Sequence, residues 1–104
     1  MSTEEIKTIH GYLNKLYSLL KSGSRTKFCD SVAQKFYAKD ITGNTLKHWF
    51  TNADTIPNDK DVVKDFFNEA FKWLDTELKI QYAPERNRIE AIDITTQMIK
   101  EKLK

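Results

Sequence analysis

Residues 59–78 constrain the fold more than any other stretch of this chain. Set out at about 100° per residue, Val62, Val63, Phe66, Phe67, Ala70, Phe71, Trp73, Leu74 and Leu78 cover half the circumference of a helix. An arc that wide is satisfied only when neighbours pack on it from several sides, so the segment reads as the central helix of an all-helical core. Pro57 or Asn58 opens it, and Asp59 and Asp61 sit in the first turn, where carboxylates suit the helix dipole. Glu77 falls inside the apolar arc, which places it either where the helix frays or beside a buried partner.

The remaining segments supply those neighbours. Over residues 3–21, Ile6, Ile9, Leu13, Leu16 and Leu20 recur at helical spacing, with Tyr12, Tyr17 and Leu19 widening the stripe. Thr3 is the expected cap, and Gly23 within Ser22-Gly23-Ser24 the expected left-handed stop. A second helix over about 25–38 would bury Phe28, Val32, Ala33 and Phe36. The turn from Lys39 to Gly43 turns Ile41 inward, and Thr42 or Asn44 caps a third helix reaching about Asn52, with Leu46, Trp49 and Phe50 facing in. After a loop at 53–57 and the central helix, Pro84 at a first helical position begins a last helix over about 84–104. Its apolar seam is narrow: Ile89, Ile92, Thr96, Ile99 and Leu103. That seam either packs on the chain's own core or forms a candidate dimer surface. The expectation is an all-α, five-helix single domain over residues 1–104.

Composition excludes several classes. A chain of 104 residues holds one modest core, and six Phe, four Tyr and two Trp supply bulk to fill it. Three Gly, two Pro and 31% charged residues argue against disorder. No apolar run approaches the roughly 20 residues that span a bilayer. The opening MSTEEIKTIH is acidic where a secretory leader is basic, so a cytoplasmic, intracellular location with no membrane partner is expected. Cys29 is alone, which suits a reducing compartment; it reads as a buried structural thiol, against a reactive one. Gly11, Gly23 and Gly43 form no phosphate-cradling loop, and His10 and His48 lack metal-ligand spacing to Cys29 or to paired carboxylates. Neither catalysis nor a metal or other cofactor is expected.

Charge is uneven. Residues 1–52 carry seven Lys and one Arg against four acids, whereas residues 53–104 carry nine bases against eleven acids. The surplus concentrates between Lys15 and Lys47, where the acids are only Asp30 and Asp40. The same stretch holds DSVAQKFYAKDITGNTLKHWFTN, two short amphipathic helices about a polar turn. The second has Asn44, Thr45, Lys47 and His48 on its outer face, residue types that suit a DNA groove.

In the order of these features the chain resembles the lambda-repressor-like (Cro- or XRE-type) helix-turn-helix family over roughly residues 6–74. Val32-Ala33 match its small-residue pair, Ile41 the hydrophobic residue after the turn, and Leu46 and Trp49 the inward residues of the recognition helix. Pro57 followed by Val62-Val63 and Phe66 matches its loop and fourth helix. The spacing from Ala33 to Leu46 is longer than the family's, so the turn is elongated. The resemblance implies a helix-turn-helix unit over about 25–52 that binds double-stranded DNA. Thr42, Asn44, Thr45, Lys47 and His48 would face the major groove, and Arg25, Lys27, Lys35 and Lys39 would hold phosphates. It also implies a homodimer and a role in transcription regulation, typically for a phage or other mobile element.

The competing reading is a small helical protein-binding module that masks a polymerase, nuclease or repressor. In that case the acids of residues 59–77 would supply a nucleic-acid-like face and the last helix an apolar contact.

Overall fold

The computed structural model describes residues 2–35 and 41–103. Among these residues it is all-α, with no strand and five α-helices: α1 (Thr3–Leu19), α2 (Arg25–Ala33), α3 (Gly43–Thr51), α4 (Lys60–Gln81) and α5 (Arg86–Lys102). A 3-10 turn, Ala53–Thr55, links α3 to α4. No helix among the described residues is long and apolar enough to cross a membrane.

The helix ends follow side-chain capping more than proline or glycine. Ser2, not Thr3, caps α1: its hydroxyl accepts from the Glu5 N–H, and the Glu5 carboxylate accepts from the Ser2 N–H, a reciprocal capping box. That pairing holds the Glu5 carboxyl below the usual carboxylate range, its Ser2 backbone bond being the main cause. The α1 stop is Leu20, in extended backbone, and Gly23 adopts no left-handed conformation. Asp59 opens α4 by accepting from the Asp61 and Val62 N–H groups, in place of Pro57 or Asn58. Glu85 precedes α5, so Pro84 lies outside that helix. In α2 the helix proper closes at Ala33, and the expected burial of Phe36 falls outside the described residues.

α4 takes the central place its sequence demanded, packing on α1, α2 and α5. Val63, Phe66, Phe67, Ala70, Leu74 and Leu78 are buried, and Val62, Phe71 and Trp73 are half-buried. Glu77 is not at a fraying end: the helix runs on to Gln81, whose Nε2 donates to the Glu77 carboxylate over 3.1 Å. Gln81 also ties the end of α4 to the turn after α1. Its side-chain carbonyl accepts from the Lys21 N–H (2.9 Å), and its amide donates to the Ser24 hydroxyl (2.9 Å). Tyr82 adds a hydrogen bond to the Leu19 carbonyl over 2.5 Å.

The α5 seam takes the first of its two readings, packing on the chain's own core. Ile92, Thr96 and Ile99 are buried within the chain, and Ile89 and Leu103 are half-buried against the same core, because α5 lies across α1 and α4. The Thr96 hydroxyl is satisfied locally by the Asp93 carbonyl. These five residues form an intramolecular packing face. What α5 leaves outside is a different stripe, Ile94 and Met98, 64% and 38% exposed.

Candidate nucleic-acid interface

α3 is held from within and at its C-terminal end. Its inward residues Leu46, Trp49 and Phe50 are buried. The Phe50 ring stacks on Tyr17 of α1 (centroids 4.7 Å apart) and meets Phe28 of α2 at 5.6 Å and Phe66 of α4 at 5.1 Å. One ring thus touches three other helices. Trp49 packs edge-on against Phe66.

The last carbonyls of a helix have no partner within it. Here neighbouring side chains supply them. His10 Nε2 donates to the Trp49 carbonyl (2.7 Å) and Asn14 Nδ2 to the Phe50 carbonyl (2.8 Å). A carbonyl only accepts, so His10 must carry a proton on Nε2. The His48 carbonyl accepts from the Asn52 N–H and the Thr55 hydroxyl. His10 and Asn14 are four residues apart on α1, which puts both on one side of that helix. Replacing His10 by Ala removes this buried hydrogen bond, for an expected loss of about 1 kcal/mol in denaturant unfolding. An unchanged unfolding midpoint would show that the bond contributes nothing.

The other end of α3 approaches α2 closely. Thr42 caps it, accepting from the Thr45 N–H (3.3 Å), and the two hydroxyls lie 3.1 Å apart. A Cβ at Gly43 would collide with the Asp30 carboxylate and crowd the Asp30 backbone at 3.2 Å. Gly43→Ala should push the Asp30 carboxylate aside and crowd its backbone, for an expected net cost of about 1 kcal/mol after alanine's better helix propensity. The double variant with Asp30→Ala should recover part of that loss, which a double-mutant cycle reads directly.

Between these anchors α3 turns Asn44, Lys47, His48 and Thr51 outward, all exposed. Thr42 is exposed and Thr45 half-buried, but their hydroxyls serve the cap, so the groove-reading groups of the outer face narrow to the Asn44 amide and, one turn on, the Lys47 ammonium and His48 imidazole. Of the expected phosphate contacts, Arg25 is already engaged. Its guanidinium donates to the Ser18 carbonyl (3.0 Å) and lies 5.8 Å from the Tyr17 ring centre, which makes it a tie between α2 and α1. Lys27 and Lys35 are exposed on the α4 side of α2. Lys27 lines a shallow cleft of about 160 Å³ with Trp73 and Glu77, and the Lys35 ammonium sits 5.4 Å from the centre of the Trp73 ring. The structure therefore separates these two lysines from the α2–α3 cleft that Lys47 lines. Lys39 lies outside the described residues.

A second cleft, of about 230 Å³, runs between α2 and α3. Thr26 and Asp30 line one wall, and Gly43, Asn44 and Lys47 the other. Cys29 also lines it, though only 2% exposed, and its sulfur lies 3.7 Å from the Tyr17 hydroxyl. Burial pushes the Cys29 thiol up from its ordinary range and the Tyr17 phenol up to about 12. Neither group ionises near neutral pH, which fits a structural thiol.

Sequence reasoning passed over His10, Asn14, Thr26 and Asp30. The one available signal was a polar pair at positions 10 and 14 beside the apolar stripe of α1. Among the described residues no group of three or more His, Cys, Asp or Glu side chains could hold a metal. No family model, curated protein or solved structure matches the chain.

Proposed function

We propose that this chain is a DNA-binding transcriptional regulator that reads duplex DNA through the outer face of α3. The observation that carries this reading is the division of labour on α3. Its apolar side and C-terminal carbonyls are fixed by α1, α2 and α4, while Asn44, Lys47 and His48 stand exposed at helical spacing. Asn pairs with adenine and Lys with guanine acceptors in the major groove. Arg25 is withdrawn into the fold and Lys27 and Lys35 face the α4 side of α2, which leaves Lys47 as the cation of the α3 face. A helix of nine residues touches few base pairs, so two copies on a two-fold site are the expected arrangement. The assignment to a phage or other mobile element rests on the family resemblance alone.

Fluorescence anisotropy with a labelled duplex, at low and at physiological salt, tests this. The expected result is binding that weakens steeply as salt rises, since phosphate contacts release counterions. No binding at low salt would sink the reading.

A second reading is favoured by one observation. Ile80 is 67% exposed on α4 and Ile94 64% exposed on α5, beside the Lys79–Asp93 ion pair that bridges the two helices at 3.0 Å. Large aliphatic side chains left in water on adjoining helices suit a protein-binding module that masks a polymerase, nuclease or repressor. That module would bind no duplex at any salt and would recover a stoichiometric protein partner.

A further inference from the structure

The α2–α3 cleft carries opposite charges on its two walls. Asp30 and Lys47 are both exposed there, and Asn44 lines the same cleft. The ion pairs among the described residues are Lys79 with Asp75 and Asp93, and Arg88 with Glu85, so Asp30 and Lys47 do not neutralise each other by direct contact. One Asp30 carboxylate oxygen occupies the space that a Cβ at Gly43 would take, so the carboxylate rests against the first turn of α3.

A carboxylate on a DNA-facing surface repels phosphates and offers only acceptors. Its useful partner in the major groove is an exocyclic amine, and cytosine N4 is the amine that acidic side chains read. The guanine paired with that cytosine presents O6 and N7 acceptors beside it, which an ammonium reads. We propose that Asp30 is a specificity-determining residue, and that the Asp30–Lys47 cleft matches the major-groove edge of a G·C pair. Asp30 accepts from cytosine N4 and Lys47 donates to guanine. The proposal rests on the DNA-binding reading and extends it by naming the base pair.

Two duplexes of equal length test it, one of A·T pairs only and one rich in G·C pairs, titrated by anisotropy at low salt. The wild-type chain should favour the G·C duplex by about tenfold. Asp30→Ala should bind the A·T duplex more tightly than wild type, having lost a repulsive charge, and should lose most of the G·C preference. Asp30→Asn keeps the size of the side chain and should move the preference toward A·T pairs, because an amide donates and accepts as adenine does. Circular dichroism of both variants confirms that they are folded. Equal wild-type affinity for the two duplexes, or an unchanged G·C preference in both variants, would overturn the proposal while leaving DNA binding intact. A wild-type chain that binds neither duplex would remove the DNA reading and this proposal with it.

Discussion

Phe50→Ala should cost this domain about 3–5 kcal/mol, the largest stability loss expected of any single truncation. The ring is fully buried, stacks on Tyr17, and contacts Phe28 and Phe66, so its removal opens a cavity shared by α1, α2, α3 and α4. Those neighbours are themselves aromatic and cannot collapse into the space without leaving their own contacts. A domain of this size has roughly 5–15 kcal/mol in total, so the loss is a large share of it. Thermal unfolding should show a midpoint more than about 10 °C lower. Phe50→Leu restores most of the volume and loses the ring geometry, so about 1–2 kcal/mol is expected. Equal effects from the two substitutions would show that ring packing, and not the cavity, dominates the site.

Lys47→Glu should act on binding and leave folding alone. The side chain is exposed on α3, and substitutions at such positions shift stability by only about 0.5 kcal/mol. If α3 enters the groove, the change removes a donor and brings a second carboxylate beside Asp30. Loss of a base-contacting cation costs about 1–3 kcal/mol, and charge reversal falls at the upper end, so duplex affinity should drop by about a hundredfold. Lys27→Glu, on the α4 side of α2, should weaken binding less and similarly for all sequences. A Lys47→Glu chain with wild-type affinity and wild-type melting would mean that α3 does not face the ligand.

The sequence carried the interior of the fold well and its joints poorly. All nine inward positions assigned to the central helix are buried or half-buried, because a periodic apolar arc is a local property that survives whatever packs against it. The boundaries moved where a side-chain cap outweighed the residue with the stronger reputation. Ser2 with Glu5 displaced Thr3, and Asp59 displaced Pro57 and Asn58. Gly23 reads as a stop in one dimension, yet α1 closes earlier, where Gln81 and Tyr82 arrive from the far end of α4 to take up the Lys21 N–H and the Leu19 carbonyl. The α5 stripe shows the limit most clearly. Its spacing announced an apolar face, but a stripe does not say whether its partner is the same chain or another copy.

The candidate site divides along the same line. The exposure of Asn44, Lys47 and His48 follows from the period of α3 and could be read directly. Arg25 could not, because its engagement with Ser18 and Tyr17 depends on how α2 crosses α1. Asp30 entered the site only through the close approach at Gly43, a contact between two helices that no local pattern encodes.

The bonds from His10 and Asn14 to the trailing carbonyls of α3 have a mechanical consequence. Fastened at that end and wedged by Phe50, the helix can neither slide along its axis nor roll without breaking buried contacts. Adaptation to a ligand is confined to the leading turn around Asn44, and any larger adjustment must carry α1 along as part of the same rigid piece.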